Sequence, residues 1–108
     1  MRFAVLLAGL AVLAAGCGGG EDAEPVATTD VRMAKSYRFE PKAITVASGD
    51  TVTWTNDDNF THTVQVDGQE DHEVDRGDSV SIMFDKPGTY HYVCTLHSRD
   101  MDGTVTVT

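Results

Sequence analysis

A chain of 108 residues has room for one domain, and its 17 acidic against 8 basic residues leave a formal charge of −9 at pH 7. Such a chain repels nucleic acid and anionic lipid head groups and steers basic partners toward it, so nucleic acid is excluded as a partner. The same acidity also serves simply to keep a small exported protein soluble.

The N-terminus, "MRFAVLLAGLAVLAAGC", has a positive start at Arg2, an apolar run from Phe3 to Ala15 and small residues ahead of Cys17. It is too short and wrongly flanked for a membrane span and reads as a secretory signal over residues 1–16. Its tail, "LAAGC", resembles a bacterial lipoprotein lipobox, although Ala14 stands where that motif more often has Leu. The resemblance implies a lipid on Cys17 and an extracytoplasmic, membrane-anchored protein, with ordinary secretion as the alternative. Residues 17–30, "CGGGEDAEPVATTD", are polar and glycine-rich and read as a flexible tether. The folded domain is then 31–108, near the size at which a core needs a staple. Cys94 is its only cysteine, which rules out an internal disulfide and leaves a bound metal as the remaining staple.

The domain alternates with period two almost throughout. "AITVA" (43–47) and "TVTWTN" (51–56) are strands separated by the turn "SGD", and "NDDNF" is a loop ahead of the strand "HTVQV" (62–66). "DGQEDHEVDRGD" is a charged connection with at most a short strand, and "RGD" within it is a turn. "SVSIMF" (79–84), the turn "DKPG", "TYHYVC" (89–94) and "GTVTVT" complete the pattern. No stretch favours a helix. About seven short strands indicate an all-β, two-sheet Greek-key sandwich with antiparallel connections. Trp54, Tyr90 and Tyr92 are expected in the core, with Met33 and Met83 as fillers and Val105 and Val107 facing inward.

Cys94, His97 and Met101 place three soft or borderline metal donors within eight residues. A fourth, His62, opens an earlier strand. If the two strand ends share a pole of the sandwich, the four side chains converge. A thiolate, two imidazoles and a thioether suit copper in either oxidation state. His72 and His91 have no ligand role: one lies in the charged connection, and the other is out of phase with Tyr90, Tyr92 and Cys94.

The stretches "GDTVTWTN", "HTV" and "PGTYHYVC", within a pattern covering about 37–107, resemble the small cupredoxins, the plastocyanin- and halocyanin-like type 1 blue copper proteins. That resemblance implies His62, Cys94 and His97 as strong copper ligands and Met101 as the weak axial one. The Cys-x2-His-x3-Met spacing departs from the family's usual His–Met separation, so another donor or water remains an alternative to Met101. Thr63 stands where family members often have Asn, and Asn56 and Thr63 are candidates to hydrogen-bond the thiolate. The implied function is one-electron transport between extracytoplasmic redox partners of cytochrome or oxidase type, docking near a solvent-edged His97 with Leu96 on an apolar rim. The protein would be a monomer and not an enzyme, because four protein donors leave no open position for substrate. Copper delivery to an oxidase, with the same donors, is the alternative function; a metal-free adhesion sandwich is a third reading.

Overall fold

The computed structural model describes residues 24–108. The expected signal, the lipidated Cys17 and most of the tether lie outside the described residues. Ten strands follow in order: β1 (Val26–Ala27), β2 (Asp30–Ala34), β3 (Arg38–Glu40), β4 (Ala43–Val46) and β5 (Asp50–Asn56), then β6 (His62–Val66), β7 (Asp71–Val74), β8 (Ser79–Phe84), β9 (Gly88–Val93) and β10 (Asp102–Val107). They form a six-stranded sheet in the order β1-β4-β10-β9-β6-β7 and a four-stranded sheet in the order β3-β2-β5-β8.

The two-sheet all-β sandwich is as expected, but the strand count is ten, not about seven. The added strands are two to five residues long and too short for a clear period. The pairing is also mixed and not purely antiparallel: β1 with β4, β4 with β10, and β2 with β5 run parallel. A 3₁₀ turn over Thr95–His97 is the only helical element among the described residues.

Alternation becomes burial strand by strand. In β5, Val52, Trp54 and Asn56 point inward; in β10, Gly103, Val105 and Val107 do. Trp54, Tyr92 and Phe39 meet edge-on at the centre, with ring centroids 5.1 Å apart for Trp54–Tyr92 and 4.7 Å for Phe39–Tyr92. That edge-to-face geometry is the preferred one for aromatic pairs. Met33 is buried as expected, whereas Met83 is exposed. Met83 is out of phase with Val80, Ile82 and Phe84, so it takes the solvent face of β8.

Two turns read from glycine behave as read. Gly49 (φ 96°) and Gly77 (φ 84°) each occupy the third position of a turn closed by a backbone bond, Asp50 N to Ala47 O at 3.0 Å and Asp78 N to Asp75 O at 2.9 Å. A positive φ there is what a glycine supplies without a steric cost.

Candidate metal centre

Pairing register brings the donors together. Val93, the last residue of β9, lies opposite Gln65 of β6 on one side and Asp102 of β10 on the other. One step further, the Cys94 N–H donates to the Met101 carbonyl at 3.0 Å, so Cys94 and Met101 face each other across the same ladder. Residues opposite or diagonal in an antiparallel pair share a face of the sheet. His62, Cys94 and Met101 are accordingly all fully buried on the inner face, at one pole of the sandwich.

The loop after Cys94 absorbs the unusual spacing. His97 N–H donates to the Cys94 carbonyl at 3.0 Å, and the His97 carbonyl in turn accepts from Asp100 N at 3.0 Å and Met101 N at 2.9 Å. The third intervening residue is thus taken up in a second tight turn, and Met101 still returns to the ladder. His97 is half-buried, and its ring centroid is 5.5 Å from that of His62.

The sulfur has two close polar neighbours. The Thr63 backbone N–H donates to Cys94 Sγ at 3.3 Å, and His62 Nδ1 lies 3.7 Å from it. Of the two residues expected to support the thiolate, only Thr63 does so, through its backbone. The Asn56 side chain has other work: its amide donates to the carbonyls of Phe60 (2.8 Å) and Val74 (2.9 Å), and its Oδ1 accepts from Asp58 N at 2.8 Å.

That wrapped loop buries Asp58, whose role was not legible in the sequence. Asp58 is only 4% exposed, and its Oδ2 lies 2.8 Å from His62 Nε2. A carboxylate acceptor there puts the imidazole proton on Nε2 and leaves the Nδ1 lone pair facing the sulfur. Burial opposes ionisation of Asp58. The hydrogen bonds from the His62 Nε2–H and the Asn59 N–H, with the Lys35 ammonium nearby, outweigh it and hold the carboxyl below its usual value. In "NDDNF" an acid that folds inward looks no different from one that stays in water; only its position four residues ahead of His62 hinted at the contact.

Thr63 also ties the ligand strand to the ligand loop. Its Oγ1 accepts from Thr95 N at 2.7 Å and lies 2.8 Å from Thr95 Oγ1, which donates to Asp71 Oδ2 at 2.7 Å. On the other side, Tyr37, from the turn between β2 and β3, lies against the rings of both His62 and His97. His72 is half-exposed on β7, and His91 is exposed on β9.

The donor pair fits a metal. Thiolate and imidazole bonds of about 2.3 and 2.0 Å, meeting at an angle between tetrahedral and trigonal, hold sulfur and nitrogen about 3.5–3.7 Å apart. The observed 3.7 Å falls in that span. Among the described residues, no three His, Cys, Asp and Glu side chains already enclose one common point. The side chains therefore gather the His62–Cys94 pair directly, with His97 standing beside it.

A family model for copper binding proteins, plastocyanin/azurin family, matches residues 26–108. Amicyanin-alpha of Methylorubrum extorquens is 32% identical over 117 residues, covering 99% of this chain and 97% of its own length. A plastocyanin of Scenedesmus fuscus is 37% identical over 83 residues, 64% of this chain and 85% of that protein. A purple cupredoxin from Nitrosopumilus maritimus has a similar structure, with a TM-score of 0.66 at 26% identity over 73% of this chain and 98% of its own. With its two-sheet β-sandwich and a thiolate–imidazole pair at metal-spanning distance, the chain belongs to the plastocyanin/azurin family of copper-binding proteins, and its cofactor is a single copper ion.

Proposed function

We propose that this protein is a one-electron carrier in which His62, Cys94 and His97 are the strong copper ligands and Met101 is the weak axial one. The observation that carries the reading is the Cys94 Sγ–His62 Nδ1 pair at 3.7 Å, with the other imidazole nitrogen engaged by Asp58 and the sulfur accepting the Thr63 N–H. Copper, when bound by such a set, supplies reversible one-electron oxidation and reduction.

The protein's own part is to hold the donors still. His62 opens β6, Cys94 follows the end of the adjacent β9, Met101 faces it just ahead of β10, and all three are fully buried. Side chains packed and hydrogen-bonded in this way rearrange little when one charge is added or removed. Four protein donors leave no position for a substrate, which favours transport over catalysis. Burial of three of the four donors favours keeping the metal over delivering it to an oxidase.

His97 is the half-buried donor; its neighbour Leu96 is exposed, as is Phe60, which meets the Tyr37 ring that stacks on His97. This apolar rim suits a small, short-lived contact with a redox protein of cytochrome or oxidase type. The signal-like residues 1–16 support an extracytoplasmic location, and Cys17 is the proposed lipid attachment that keeps the carrier at a membrane. The names of the relatives, a plastocyanin and an amicyanin, agree with electron transport.

The test is the visible and electron paramagnetic resonance spectrum of the copper-loaded protein. An intense thiolate-to-copper band that disappears in Cys94→Ser is the expected result. A protein that binds copper and stays colourless would overturn the reading.

A further inference from the structure

The turn that joins β2 to β3 is built against local preference. Ala34 pairs with Arg38, which leaves a three-residue connection, Lys35–Tyr37, and the last two of these are left-handed, Ser36 at φ 73° and Tyr37 at φ 56°. Glycine or asparagine ordinarily fills such positions, and a bulky residue there is strained. Residues held in strained backbone persist where surrounding contacts over-determine them, and such places cluster at functional sites.

The contacts here are aromatic. The Tyr37 ring stacks on His97, with centroids 4.2 Å apart and planes 12° from parallel. It also meets the edge of His62 at 5.8 Å and that of Phe60 at 5.9 Å. One ring from the four-stranded sheet therefore touches both histidines of the six-stranded sheet's site. His97 needs such a support, because its loop neighbours Thr95, Leu96, Ser98, Arg99 and Asp100 are all exposed.

We propose that Tyr37 is a positioning residue: its ring, carried on the strained β2–β3 turn, fixes the plane of the His97 imidazole whether or not a metal is bound. This rests on the ligand reading above. The ring does the work and the hydroxyl does not. The left-handed backbone at Tyr37 is retained because it aims the ring across the gap between the sheets.

The full-length protein tests this with Tyr37→Phe and Tyr37→Gly. Glycine is at ease at φ 56°, so the glycine variant relieves the backbone strain while it loses the ring contacts, and it is expected to fold. In its metal-free form, NMR should show the His97 ring protons losing the displacement caused by an adjacent aromatic face, and faster motion of that ring. In the copper(I) form, loss of metal to a chelator should quicken by roughly three- to tenfold, the ratio that one aromatic pair corresponds to. Tyr37→Phe should match the wild type in both measurements. Unchanged His97 resonances and metal loss in Tyr37→Gly would overturn the proposal. Should that variant not fold, Tyr37→Leu, apolar but without a ring, carries the same comparison. A wild-type protein lacking the thiolate-to-copper band sinks the electron-carrier reading instead, while the metal-free NMR comparison still decides the role of Tyr37.

Discussion

Asp58 and His62, four residues apart in the chain, are both removed from solvent and joined by a 2.8 Å contact between Oδ2 and Nε2. The pair makes the imidazole a donor at one nitrogen and a lone-pair site at the other. It also places a negative charge behind a ligand of the proposed copper site. A carboxylate there favours the more positive oxidation state of a metal on the far side of the ring.

Replacing Asp58 with Asn removes that charge while keeping an acceptor oxygen. The reduction potential of the copper-loaded protein should rise, by on the order of 50–100 mV for one unit charge at this range and a protein-like dielectric. Potentiometric titration measures it, and a potential equal to that of the wild type would refute the electrostatic role. Asp58→Ala leaves a buried imidazole N–H without a partner and should cost about 1–3 kcal/mol of stability.

Thr63→Val probes the clamp between ligand strand and ligand loop. Valine matches the shape of threonine but strands the Thr95 N–H, which now donates to Thr63 Oγ1 at 2.7 Å. Urea unfolding should show a loss of about 1–2 kcal/mol. The Thr63 backbone N–H, and with it the bond to Cys94 Sγ, remains, so the absorption band should keep its position. An unaltered urea midpoint would mean that water replaces the clamp.

Gly103 lies on β10 where a Cβ would collide with the Tyr92 hydroxyl and the Lys42 carbonyl. The Lys42 carbonyl is fixed, because it accepts from Thr104 N at 3.0 Å. Gly103→Ala should therefore destabilise by about 2 kcal/mol or more, in the way overpacked cores do. A melting temperature within a degree or two of the wild type would show that the strand can shift.

Burial raises the Tyr92 phenol far above its ordinary value, with the nearby Asp102 charge adding to the effect and a contact with Trp54 opposing it. The buried Tyr92 Oη and Trp54 Nε1 lack a hydrogen-bond partner by strict geometry, so that opposing contact is weak. A folded-state pKa above the unfolded one contributes stability that is complete below the unfolded value, about 10, and is lost as pH rises beyond it. Stability should fall with increasing pH above about 10, and fall less steeply in Tyr92→Phe. Equal slopes in the two proteins would contradict the assignment.

The amino-acid sequence alone determined the strand-rich character of the domain and the cluster Cys94, His97 and Met101. Both are local: alternation is a property of consecutive residues, and the three donors share one loop. Even the outward turn of Met83, against the expectation of a core filler, was present in its phase against Val80, Ile82 and Phe84. Tertiary structure decided the rest. The parallel pairings, the burial of Asp58 and the reach of Tyr37 across the sheets each depend on which distant strand lies alongside, and hence on register. Whether an acid in a polar loop faces water or a histidine is set by the partners that close over it, here the side chain of Asn56 and the strand that His62 begins.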